Sequence, residues 1–392
     1  MNKQNEYFVD HIPYKEKLLI SKTTLTHFFN KLHESIKYWK KEKSTILQMD
    51  DILYATNDFY LTLDSFSSIN EKIKFSLEKK GCLYQKFTLT LNSNVYHILF
   101  CYPSEEKKNT EIETYFSECI MKIYFWLYIV QDHIKKNCSK TSNVTILFSD
   151  AKKFISDKKE ILDTIHANSA FTTSCMRETN ICIYRKEEWF KVFIHETFHC
   201  FGLDFSHIDN SEAESIIYKL FQVKDINGLR IFESYCESWA LIMHSIIICF
   251  IQTQHLNVFL KKIVKILKKE IQFSAFQLVK ILNYYKLTYE ELINNSYTMV
   301  KFTEHTHILS YYIIKFILIF NMNEFESWSL KNNVTLLQFK DTKKNIQYYI
   351  KLIESLYKSP TFLQYIKSVE NYLHNNTNVD LIYSMRMSFH EL

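Results

Sequence analysis

From residue 187 onward the apolar residues follow a helical period almost without interruption. That pattern commits half of the chain to packed helices and leaves strands only to the earlier part. Punctuation is correspondingly scarce. The 392 residues hold three glycines and three prolines, where average usage would give roughly 7% and 5%. An apolar share of 47% and a charged share of 23% supply a sizeable core and exclude long disorder or a collagen-like repeat. The excess of Lys, Asn, Ile, Phe and Tyr is the habit of an A+T-rich genome, so lysine-rich stretches carry little information and each glycine carries more.

The strand signals lie between Gly81 and Tyr184. KFTLTL (86–91) and VYHILF (95–100) flank Asn92-Ser93-Asn94 and read as a hairpin with alternating side chains. A helix is predicted over 110–136, where Ile112, Phe116, Ile120, Ile123, Leu127, Val130 and Ile134 share a face. VTILFS (144–149) reads as a buried strand. The segment of Ile181, Cys182, Ile183 and Tyr184 reads as an edge strand. The fold class is therefore α+β. Helices are expected over 1–80, a small mixed sheet with helices over 81–204, and an all-helical part over 205–392. Within that last part Thr288 and Glu291 can form a capping box, and Ser359 precedes Pro360 as a cap before proline at the first helical position. Residues 256–270, LNVFLKKIVKILKKE, form a basic amphipathic helix whose lysines read as a solvated face.

With 48 basic and 43 acidic residues the net charge is +5, too balanced to imply a nucleic-acid partner. Nine cysteines without a C-x-x-C pair predict free thiols and a cytoplasmic setting. The first residues show no apolar signal segment. The longest apolar runs, near 239–251 and 311–320, are broken by His244 and Lys315, so no transmembrane segment is expected. Oligomeric state is not legible.

One motif carries chemistry. VFIHETFHCFGLDFSH contains His195-Glu196-x-x-His199. Residues four apart share a helix face, so the two imidazoles can hold one Zn²⁺. Glu196 is then placed to take a proton from water activated at the metal, as a general base. The pattern alone arises by chance in roughly one such chain in twenty or thirty, so its context decides. Glu187 and Glu188 are expected in the first turn of this helix, as its dipole prefers, and Gly202 stands where a left-handed C-cap would end it. The plain alternative is an exposed helix with two unrelated histidines.

A catalytic zinc needs a third protein ligand. In ESYCESWALIMHS, Glu233 and Glu237 lie one turn apart on an otherwise apolar helix. Burying two carboxylates is costly unless positive charge lies opposite, and a metal with its histidines would provide it. Gly228 precedes that helix. Asp204 can orient His199 or simply stabilise its loop. His207 is a further candidate ligand, and Glu212 and Glu214 read as surface. Tyr218, Tyr235, His244, His305, His307, Tyr311 and Tyr312 are all open as transition-state donors.

These residues resemble the zincin metallopeptidases, specifically the glutamate-zincins such as thermolysin and anthrax lethal factor. The likeness covers about 170–245 and extends to zincin-like proteins of large DNA viruses. It implies a two-lobed fold with the metal between the lobes. It further implies His195, His199 and Glu233 as zinc ligands, Glu196 as catalytic base, and Glu237 as hydrogen-bond partner of a ligand histidine. A viral source would place the protein in the host cytoplasm or the virion. The sequence departs from the metzincin pattern, which needs histidine at 205, where Phe205 stands. The leading expectation is a zinc endopeptidase acting on a peptide or protein laid along the strand 181–184. A structural or interaction protein on a zincin scaffold, possessing no proteolytic activity, is the alternative. A zinc hydrolase of non-peptide amides is a third reading.

Overall fold

Side-chain alternation builds the N-terminal half. The computed structural model describes residues 3–14, 19–78, 80–103, 110–155, 160–221, 223, 229–294, 302–376 and 380–391. Its sheet contains β1 (Leu47–Met49), β2 (Leu53–Ala55), β3 (Cys82–Leu91), β4 (Asn94–Pro103), β5 (Thr141–Leu147), β6 (Ala170–Thr172) and β7 (Glu178–Ile183). The order is β1-β3-β4-β5-β7-β6, with β2 also on β3. β3 and β4 form the expected hairpin, and Leu91 pairs Asn94. The turn is therefore Asn92-Ser93 alone, with Asn92 at φ 54°. The pairs β4–β5 and β5–β7 are parallel, while β6 runs antiparallel to β7. The sheet is mixed, as expected.

Because successive side chains point to opposite faces, β3, β4, β5 and β7 each feed two cores. Phe87, Ile98, Val144, Ile181 and Ile183 join the main core. Cys82, Cys101, Leu147, Cys182 and Tyr184 join a smaller one with Tyr60, Phe66 and Leu77. The helices preceding and within the sheet region are α1 (Lys3–Asp10), α2 (Lys22–Ile46), α3 (Glu71–Glu78), α4 (Thr110–Val130) and α5 (Thr164–Ala167). Then follow α6 (Trp189–Cys200), α7 (Ser211–Phe221), α8 (Ile231–Gln252), α9 (Leu256–Tyr284) and α10 (Tyr289–Asn294). Further helices span Leu309–Phe320, Met322–Asn332, Lys343–Leu356 and Pro360–Asn375. The capping box forms at Thr288–Glu291, and Ser359 stands at the N-cap position before Pro360 with no side-chain cap bond.

Several expectations are corrected. The strand of Ile181, Cys182, Ile183 and Tyr184 is not an edge: β7 is paired on both sides, and the three-residue β6 forms the rim. The region 1–80 is not wholly helical, since β1 and β2 lie in it. The helix predicted over 110–136 stops at Val130. The cysteines are not all free: Cys138 and Cys175 are bonded, with Cα atoms 4.9 Å apart, inside the usual range. The seven remaining thiols are buried. Finally, α8 is long and apolar enough to cross a membrane by length and composition, but 94% of its apolar window is buried inside the protein. Every residue from Ile231 to Phe250 is buried, so its apolarity is that of a central core helix.

Candidate metal centre

The local sequence ends α6 at the required place. Gly202, at φ 67°, lets Leu203 N donate to Phe198 O at 2.9 Å and Gly202 N donate to His199 O at 3.2 Å. This is the paired C-cap that only a residue free to adopt the left-handed region accepts without strain. A Cβ there would also stand 2.8 Å from Cys138 Sγ. At the other end Glu188 is the N-cap rather than a first-turn residue, and its side chain turns inward instead of capping. Gly228, expected to bracket α8, lies outside the described residues.

α8 packs against α6 and brings its glutamates to the histidines. His195 Nε2 lies 3.0 Å from Glu233 Oε2 and 3.2 Å from His199 Nε2, and His199 Nε2 lies 3.5 Å from Glu233 Oε2. Two atoms bonded to one tetrahedral ion at about 2.0–2.1 Å stand about 3.3 Å apart. At right angles on a six-coordinate ion they would stand about 3.0 Å apart, so spacing fits a metal without naming it. All four residues of the motif and its third partner are only 5–9% exposed. The three donors could thus hold a metal ion.

The outer contacts also converge. Asp204 Oδ2 lies 2.7 Å from His199 Nδ1. Glu237 Oε2 lies 3.1 Å from His195 Nδ1, within ion-pair distance but off the hydrogen-bond angle. Two neighbours were not read from the sequence. Lys191, one turn before His195, donates to Glu237 Oε1 at 2.5 Å. The Cys236 thiol packs 3.8 Å from His199 Nδ1 and 3.7 Å from Asp204 Oδ2, so His199, Asp204 and Cys236 form a second group able to hold a metal. The position of Lys191, four before His195, was a usable helical signal. His207 is not a ligand in this arrangement; it lies 3.1 Å from Asp341.

Burial opposes charge throughout, and specific partners decide the outcome. Burial would lower His195, but the carboxylates of Glu233 and Glu237 beside its ring push it up to about 9. His199 is also raised well above the ordinary imidazole value, against burial, by Cys236, Glu233 and Asp204. Burial would raise Glu237, yet Lys191 and His195 hold it at about 2. Glu233 is likewise held well below the carboxylate range by the two histidines. Glu196 goes the other way, because burial dominates and raises it. No hydrogen-bond partner for its carboxylate is found among the described residues.

These directions fix a sign. A ring that is protonated at neutral pH must shed its proton to bind a metal through Nε2. Zn²⁺ binding at pH 7 is therefore expected to release about one to two protons, and affinity should climb as pH rises toward 9. Calorimetry in buffers of different ionisation enthalpy measures the number. Release of no proton at pH 7 would overturn the assignment of these rings as ligands.

The seven candidate donors separate cleanly, and His305 is exposed. Tyr218 Oη accepts from Leu229 N, and Tyr312 Oη donates to Met385 O. Tyr235 Oη donates to Leu337 O, and His244 packs against Phe190 with the rings tilted by 54°. Tyr311 instead stands with its ring 6.1 Å from that of His195, and His307 lies behind it at 5.9 Å. Tyr311 sits in a π-helical turn, Leu309–Ile314, a form frequent at functional sites. Compared with known proteins, the chain matches no family model, no curated protein and no solved structure.

Proposed function

We propose that the protein is a zinc-dependent endopeptidase with a zincin-like, two-lobed arrangement. The observation that carries this reading is the set of three donors spaced 3.0–3.5 Å apart with a carboxylate, Glu196, that has no hydrogen-bond partner among the described residues, on the adjoining position of the same helix. A general base is what distinguishes a hydrolytic site from a merely structural one. The chemistry that a bound Zn²⁺ supplies is Lewis acidity toward water and a carbonyl. Glu196, with its raised pKa, takes the proton of the attacking water and returns it to the leaving amine. Tyr311 Oη donates to the developing oxyanion. Asp204 and Glu237 orient the ligand rings. The peptide lies along the outer edge of β6, not of β7, and main-chain hydrogen bonds hold it there.

One observation favours the non-catalytic alternative. The cavity against His195 and Glu196 is about 30 Å³, room for about one water. A peptide-library assay separates the readings. Cleavage should vanish with a chelator and return with Zn²⁺, and Tyr311→Phe should lower kcat roughly 10²-fold while metal content stays unchanged. Stoichiometric zinc without any cleavage would select the scaffold reading.

A further inference from the structure

Residues 385–389 are buried, and buried charged side chains grip the backbone of this segment. Glu188 accepts from Met387 N at 3.0 Å, from Ser388 N at 2.6 Å and from Ser388 Oγ at 2.6 Å. Lys315 Nζ donates to Met387 O at 3.0 Å. Glu270 accepts from Phe389 N at 2.9 Å and from His390 N at 3.0 Å. Both the N–H and the C=O of Met387 are thus held by buried charges. Releasing either would leave a buried charge short of a partner, so the origin of this side chain is fixed.

The side chain reaches the small cavity that adjoins His195 and Glu196. Met387 lines the 30 Å³ cavity together with His195, Glu196, Val192, Ala170 and Tyr311. Its Sδ is 3.9 Å from Lys191 Nζ, the lysine that holds Glu237. Val192, His195 and Glu196 are fixed on α6, Ala170 is paired in the sheet, and Tyr311 is part of a helix. Methionine is the adaptable wall among these, an unbranched thioether that fills irregular gaps.

We propose that Met387 sets the size of the group accepted beside the metal, and restricts it to a residue with a small side chain such as glycine or alanine. This rests on the metal-site reading above. The side chain belongs to a residue far along the chain from His195 and Glu196, so the selectivity of the centre depends on a segment outside the motif helices.

Amino-acid hydroxamates test this by binding to the metal without turnover. Glycine, leucine and phenylalanine hydroxamate would be titrated calorimetrically into zinc-loaded wild type, Met387→Ala and Met387→Leu. Wild type should prefer the glycine compound. Met387→Ala should gain roughly tenfold or more for the leucine compound, from the apolar surface newly buried. Met387→Leu, close to volume-conserving, should keep the wild-type order. If Met387→Ala does not fold, Met387→Val should show the same change with a smaller shift. An unchanged order in folded, zinc-loaded Met387→Ala or Met387→Val overturns the inference while leaving the metal site standing. Zinc-loaded proteins that bind none of the three compounds overturn the catalytic reading, and this inference with it.

Discussion

Glu233→Ala is expected to weaken Zn²⁺ binding roughly 10²–10³-fold. A four-ligand zinc site is worth about 10–16 kcal/mol, so an even share is about 2.5–4 kcal/mol per ligand. The variant also removes the charge facing both histidines, which lie 3.0 and 3.5 Å away. Glu237 should matter less for the metal, about 10–100-fold, because it acts through the His195 ring. The lysine alters how that comparison is made. Lys191 and Glu237 are both about 1% exposed, and deleting one member of a buried pair costs about 3–5 kcal/mol. Glu237→Ala would strand a buried ammonium and confuse lost folding with lost affinity. Glu237→Gln keeps a hydrogen-bond acceptor for Lys191 and is the cleaner variant. Competition titration against a chromophoric chelator, with circular dichroism as the folding control, gives both affinities. If Glu237→Gln loses more affinity than Glu233→Ala, the ligand and its supporting carboxylate are exchanged.

Much of this centre was legible because its spacing is local. His195, Glu196 and His199 fall on one helix, and the helical period alone puts both rings on one face. Glu233 and Glu237 were legible for an energetic reason, as two carboxylates in a helix too apolar to leave them in water. The rim of the sheet was not. Ala170, Phe171 and Thr172 are too few for a period of two to show, so the longer 181–184 took the role of edge in the sequence reading. The bond between Cys138 and Cys175 joins residues 37 apart, and nothing in their flanking sequence distinguishes them from the other seven cysteines. The grip of Glu188 on Met387 spans 199 residues, a relation that only tertiary packing creates.

Glu196→Gln should separate activity from stability in opposite directions. Glu196 has no hydrogen-bond partner among the described residues, so the amide breaks no such bond. Burial raises its pKa above the ordinary carboxylate value. A carboxyl raised in the folded state contributes stability that is fully present below the unfolded pKa and is lost as pH rises through the folded one. At neutral pH the wild type therefore carries a charge that its surroundings disfavour, and glutamine removes it. The variant should unfold at the same temperature or higher at pH 7, and this advantage should shrink as pH falls toward 4. Zinc content should be unchanged, because His195, His199 and Glu233 remain. Hydrolysis should fall roughly 10²–10⁴-fold in kcat, the usual worth of a positioned general base. Thermal melts at pH 4 and 7 alongside the peptide-library assay make the comparison. Equal cleavage by the two proteins would assign the activity to another group, and a lower melting temperature at pH 7 would show that the Glu196 charge is stabilised by contacts this geometry lacks.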